Sequence, residues 1–146
     1  MYHNKGFTFI EVLTVLSIIA LATIGTLALR DWAVGNSRVS EAKAQIVTIQ
    51  SGAQIWRPRT GDLTGISMTA MSSIAAIPES WGNGSKINPW GGDMSIAVDG
   101  SDQSVYVITV SGIDQAAEGA RLARDFTDYA LSANFSGGTL TLRFQS

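Results

Sequence analysis

The chain has 146 residues, 45% hydrophobic and 15% charged, and its mean hydropathy of +0.17 suits one domain plus a membrane-seeking segment, not a disordered tail. Twelve acidic against ten basic side chains leave a formal charge of −2, with no basic run able to track a phosphate backbone. Having no cysteine and a single histidine, His3, the sequence excludes a Ser-His-Asp triad, a thiol nucleophile, a structural zinc site and a disulfide framework; neither metal nor cofactor is expected.

Phe7 to Leu29 reads FTFIEVLTVLSIIALATIGTLAL, and its only charge is Glu11. As a helix this run extends about 34 Å, enough to cross a hydrocarbon core of about 30 Å. Lys5 precedes it, and Arg30 and Asp31 follow. With the Lys5 end cytoplasmic, the rest of the chain lies across the membrane. A secretory signal peptide is the competing reading, in which Leu13 to Ile19 is the apolar core and Ala20-Leu21-Ala22 supplies a small-x-small cut. Against it, the apolar run continues past that site to Leu29. A carboxylate at Glu11 also costs a few kcal/mol inside lipid, which marks the position as functional.

The residues Lys5-Gly6-Phe7-Thr8-Phe9-Ile10-Glu11, heading an unbroken apolar helix, resemble the cleavage motif of type IV pilins and the related pseudopilins. The resemblance implies a leader over residues 1–6, a cut by prepilin peptidase between Gly6 and Phe7, and N-methylation of Phe7. It further implies that the Glu11 carboxylate faces the N-terminal amine of a neighbouring subunit during assembly. Elementary electrostatics agrees, because an amine and a carboxylate are each expensive alone in lipid and less so as a pair. The alternative role for Glu11 is to cap the first turn, for which Thr8 is also available.

Beyond Arg30 the helical pattern continues. Val39, Ala42, Ile46, Ile49, Ala53 and Trp56 alternate three and four residues apart, an apolar stripe suited to packing on a sheet. Gly35-Asn36-Ser37 is the expected weak point, and Pro58 sets the end at about Arg57. The whole helix would be roughly 75 Å long, apolar all round in its first half and amphipathic in its second.

Pro58 to Trp90 is rich in Gly, Ser, Thr and Pro, with one short helix expected from Ser67 to Ile74, capped by Ser67. Met94 to Val98 and Ser104 to Val110 alternate as two antiparallel strands joined by a turn over Asp99 to Gln103. Asp99 and Asp102 read as turn residues, not as ligands of a cation. A helix opening at Ser111 or Asp114 runs to about Tyr129, with Ala116, Ala120, Ala123 and Phe126 on one side. Glu118, Arg121, Arg124, Asp125 and Asp128 form its solvated face. Thr139 to Phe144 closes the sheet.

The expected fold is thus α+β and pilin-like: the long helix packed on a small antiparallel sheet of three to four strands. Residues 7–29 form the transmembrane or filament-core half, and residues 30–146 the periplasmic or extracellular globular domain. Asn88-Pro89-Trp90-Gly91-Gly92 and the helix before the last strand resemble type IVb pilins, whereas the short leader and Phe7 resemble type IVa. A Pro-Trp-Gly motif is also similar to one in major pseudopilins. The cysteine pair common near pilin C-termini is missing, so packing around Phe126, Phe135 and Phe144 must pin the last loop and strand.

By resemblance the chain is a structural subunit, not an enzyme: the subunit of a type IV pilus, or alternatively a pseudopilin of a type II secretion system. The implied partners are further copies of itself, the prepilin peptidase, the inner-membrane assembly platform with its ATPase, and an outer-membrane secretin. The precursor is expected in the inner membrane and the product in an extracellular filament. Carboxylate pairs such as Asp99 with Asp102, or Glu118 with Asp125, are the only candidates for acid–base chemistry in the other class, a membrane-anchored enzyme.

Overall fold

A computed structural model of the chain describes residue 6 and residues 8–146. Most of the expected leader, and Phe7 with its expected methylated amine, lie outside the described residues. Helix α1, Phe9–Trp56, is followed by α2, Met68–Ser73, a 3-10 turn at Glu79–Trp81, strands β1, Met94–Val98, and β2, Val105–Val110, helix α3, Ala116–Phe126, and strands β3, Ser132–Ser136, and β4, Thr139–Gln145. The molecule divides into two compact units, Met1–Gly35 and Asn36–Ser146.

The first unit is helical from Phe9. Its helix presents Phe9, Ile10, Leu13, Leu16, Ile19 and Leu21 to the outside, and an 18-residue window in it reaches a mean hydropathy of 2.4. Between Phe9 and Leu29 its polar side chains are Glu11, Thr14, Ser17, Thr23 and Thr26, and each of the four hydroxyls donates to the carbonyl four residues back at 2.8 Å. Every hydroxyl of that stretch is thereby satisfied within the helix, a condition for lying in hydrocarbon.

The second unit holds the core. Its sheet has the order β1-β2-β4-β3, antiparallel throughout, with Ile108 opposite Ile96 on one side and Leu142 on the other. Tyr106, Ile108 and Val110 from β2 and Leu140, Leu142 and Phe144 from β4 are buried, as period-two alternation requires. They meet Val39, Ala42, Ile46, Ile49 and Ala53 of α1, while Trp56 packs at the edge, half-buried. Each such large aliphatic side chain withdrawn from water contributes about 1.5–3 kcal/mol. The carboxyl-terminal strand, with no disulfide to hold it, is anchored by aromatic packing: Phe144 lies 5.6 Å from Tyr106 and 6.2 Å, edge-on, from Phe126 between ring centroids.

Helix α1 runs unbroken through Gly35-Asn36-Ser37, as expected of a single long helix; Asn36 accepts from Arg121 and Arg38 pairs with Glu118 just where Val39 enters the core. Three features differ from the sequence reading. Helix α3 ends at Phe126 and buries Gly119, Leu122 and Phe126, leaving Ala116 and Ala120 exposed and Ala123 half-buried. Gly119 is what turns that face inward: a Cβ there would lie 2.3 Å from the Phe135 ring, so the glycine makes room for the aromatic ring of β3. Strand β3 itself is an element beyond the three strands read individually from the sequence; its residues alternate only weakly, between exposed and half-buried. Finally, Glu118 and Asp125 are not part of a solvated face, since both carboxylates are partnered from α1.

Candidate functional site

The residues expected to be processed lie at the amino-terminal end of α1. Gly6 is exposed, outside any regular element, and a Cβ added there would meet nothing within 4 Å. The fold therefore makes no demand for glycine at this position. Thr8 is the cap of α1: its Oγ1 accepts from the Glu11 N–H at 3.2 Å and its carbonyl from the Val12 N–H at 3.1 Å. Capping by Thr8 leaves the Glu11 carboxylate free of that duty. The side chain is exposed, and among the described residues no ion pair reaches it. A lone carboxylate on an exposed apolar helix, within the first turn where the helix dipole favours negative charge, is a site that a cation from another molecule can occupy.

In the globular unit, three contacts tie α3 to the second half of α1. Glu118 receives Arg38 at 3.8 Å, Asp125 receives Lys43, and Arg121 donates to Asn36. Glu118 also accepts from the indole N–H of Trp90 at 2.8 Å, which joins the Asn88–Asp93 loop to the same point. That loop is built around Asn88, buried with both ends of its amide used. Its Nδ2 donates to the carbonyls of Ser111 and Asp93, and its Oδ1 accepts from the N–H groups of Trp90 and Gly92. The motif Asn-Pro-Trp-Gly-Gly is thus a turn clamped by an asparagine, with Gly91 at φ 79°.

The β1–β2 turn uses its carboxylates locally. The Arg143 guanidinium and then the Ser101 hydroxyl hold Asp99 below the usual carboxylate range. The Ser104 hydroxyl and backbone do the same for Asp102, and those of Thr64 for Asp62. Burial pushes the Tyr106 phenol up. Among the described residues no three His, Cys, Asp or Glu side chains converge as metal ligands. Asp99 and Asp102 sit in a solvated turn, and Glu118 and Asp125 each face a base of α1. Neither arrangement forms an enclosed acid–base pair.

The family described as the prokaryotic N-terminal methylation motif matches residues 1–27. That motif, over 27 of the 146 residues, marks a type IV pilin-like or pseudopilin-like prepilin. The matched segment covers the expected leader, Gly6, Phe7, Glu11 and the first turns of the exposed apolar helix. No curated protein and no solved structure matches the chain. For the prepilin, the apolar first half of α1 is consistent with a membrane anchor near the amino terminus.

The sequence pattern did not disclose the Arg38–Glu118–Trp90 relay or the Arg143–Asp99 bridge. Both join residues far apart in the chain through polar side chains with no periodicity. The signal available was chemical: a Trp beside glycines needs a partner for its N–H when half-buried.

Proposed function

We propose that this prepilin is the structural subunit of a type IV pilus. In this reading prepilin peptidase cuts between Gly6 and Phe7 and methylates Phe7, and the mature chain leaves the inner membrane to join a helical surface filament. Further copies of the chain replace lipid around the first half of α1, while the globular unit faces outward. The observation that carries the reading is the contrast within one helix: Phe9 to Leu29 is uniformly exposed and apolar, whereas Val39 to Ala53 is buried in a finished core. An apolar surface of that extent is covered either by lipid or by neighbours.

Glu11 is the residue that would choose the register. A neighbour's amine seated against it neutralises two charges, while a subunit one step out of place leaves both unpaired in an apolar core, at several kcal/mol. Such contacts are head-to-tail, and head-to-tail contacts that do not close on themselves give open filaments. The assembly platform with its ATPase and the secretin are the further partners this path requires. The second reading, a pseudopilin, is favoured by the Asn88–Gly92 turn with its Pro-Trp-Gly sequence, and it predicts only a short fibre.

Amino-terminal sequencing of filaments sheared from producing cells tests the proposal. A chain beginning at methylated Phe7 in long surface filaments supports it; filaments without this chain, or a chain still beginning at Met1, refute it.

A further inference from the structure

Of the four tryptophans, Trp56, Trp81 and Trp90 pack against the core of the globular unit, and Trp90 gives its N–H to Glu118. Trp32 does neither. It stands 68% exposed on α1, and among the described residues no acceptor reaches its indole N–H. Arg30 and Asp31, the first charges after Glu11, directly precede it. Both are exposed and neither joins one of the ion pairs of the described residues. The change from apolar to charged surface therefore falls at the level of Trp32.

The position of that level along the helix is what gives it meaning. Trp32 follows Glu11 by 21 residues on one unbroken helix, a separation of about 31 Å at 1.5 Å per residue. A tilt of about 20° shortens the span to about 30 Å, the thickness of a bilayer's hydrocarbon core. Between the two residues and Arg30, the polar side chains are Thr14, Ser17, Thr23 and Thr26, whose hydroxyls are spent on the helix's own carbonyls. Glu11 and Trp32 can thus lie at opposite headgroup layers at the same time.

We propose that Trp32 is an interfacial anchor: before assembly its ring lies among the lipid headgroups at the carboxyl-terminal end of the span and fixes the depth of α1, so that Glu11 meets the opposite headgroup layer. This inference rests on the membrane stage of the reading above. Two observations select lipid as the partner of the ring. The span from Glu11 to Trp32 matches a hydrocarbon thickness, which a neighbouring protein surface has no reason to impose. The unpaired indole N–H also needs an acceptor beside an apolar bed, and ester and phosphate oxygens above acyl chains supply both. The apolar half of a neighbouring helix would cover the ring but bring it no carbonyl free of the helix ladder. The consequence concerns Glu11. Held at the headgroups, its carboxylate keeps contact with water until the subunit leaves the bilayer, so the cost of burying it falls at assembly, where a neighbour's amine can meet it.

The test uses full-length chain in vesicles of phosphatidylcholine and phosphatidylglycerol. Trp32 emission, taken as the parent minus Trp32→Phe difference, should be quenched more strongly by phosphatidylcholine brominated near the headgroup than by lipid brominated near the chain ends. Because the chain has no cysteine, depth is read independently from single cysteines and a water-soluble maleimide present on both faces. Leu29→Cys should be protected in the parent. Moving the ring back by four residues, Trp32→Ala with Ala28→Trp, should raise the rate of Leu29→Cys to that of Ala33→Cys in the parent, whereas Trp32→Tyr should leave the parent depth unchanged. If Leu16→Cys is protected and moving the ring leaves Leu29→Cys protected too, the anchor is overturned and the membrane stage stands. Leu16→Cys as reactive as Ala33→Cys removes the membrane stage itself. Quenching that disappears as the ratio of protein to lipid rises gives the ring to a second copy and overturns the assignment to lipid.

Discussion

Gly52 is a position where two physical effects oppose each other, and distances decide the sign. It lies inside α1, where replacing Gly by Ala stabilises a helix by about 1 kcal/mol through backbone entropy. It is also buried, and the added methyl would stand 2.6 Å from Ile77 Cγ2 and 2.9 Å from the carbonyl oxygen of Ala76. A side-chain methyl can turn aside, but the carbonyl belongs to backbone that also carries the Ala76 N–H to Met71 hydrogen bond at 3.0 Å. Overpacking of this kind costs about 1–3 kcal/mol. Gly52→Ala is therefore expected to destabilise by about 1 kcal/mol net, a fall in midpoint of about 5 °C for a domain near 100 residues. Gly25→Ala is the matched control, since a Cβ there meets nothing within 4 Å; it should leave the globular transition unmoved. The measurement is thermal unfolding of full-length chain in detergent, followed by near-ultraviolet circular dichroism. A midpoint for Gly52→Ala equal to or above that of the parent would show that residues 76–77 give way freely and that this packing is not tight.

Gly6→Val and Glu11→Val should separate processing from assembly: the first stays full length by mass, whereas the second is trimmed normally but builds no filaments by electron microscopy. Normal trimming of the Gly6 variant, or filaments of normal length from the Glu11 variant alone, would contradict the assigned roles. Trp90→Phe removes the donor to the Glu118 carboxylate and should cost about 1.5–3 kcal/mol, read as a lower denaturation midpoint in urea, because the bond lost is to a charged group. Asp62, Asp99 and Asp102 have pKa values lowered in the folded chain. Their contribution is thus fully present above the unfolded carboxylate value near 3.9 and is lost as pH falls through the lowered folded values. Stability should hold from neutral pH to about 4 and decline below it. Arg143→Gln should make the decline shallower, and an unchanged acid limb would show that the Arg143–Asp99 bridge is not its source.

Much of the architecture is local in origin and so could be read from the chain. The exposed apolar helix and its carboxylate follow from composition over Phe7 to Leu29, because nothing else in the chain can change whether that run prefers water. The stripe from Val39 to Ala53 follows from a period of 3.6, and the β1–β2 hairpin from a period of two around a turn rich in Asp and Gly. The cleavage proposed at Gly6 belongs to the same class, being read from a short linear motif.

Tertiary structure decided what depends on who meets whom. Helix α3 turned its Gly119–Leu122–Phe126 face inward, not its alanines, because Phe135 needed the space that only glycine leaves. The charges of α3 became ties to α1 because Arg38 and Lys43 happened to lie opposite Glu118 and Asp125. The polar contacts of α1 just past Gly35 come from partners some 80 residues away in sequence, Arg121 on Asn36 and Glu118 on Arg38. Helix propensity sees only near neighbours, whereas ion pairs and ring contacts are set by the three-dimensional arrangement of segments whose separation in sequence carries no period to detect.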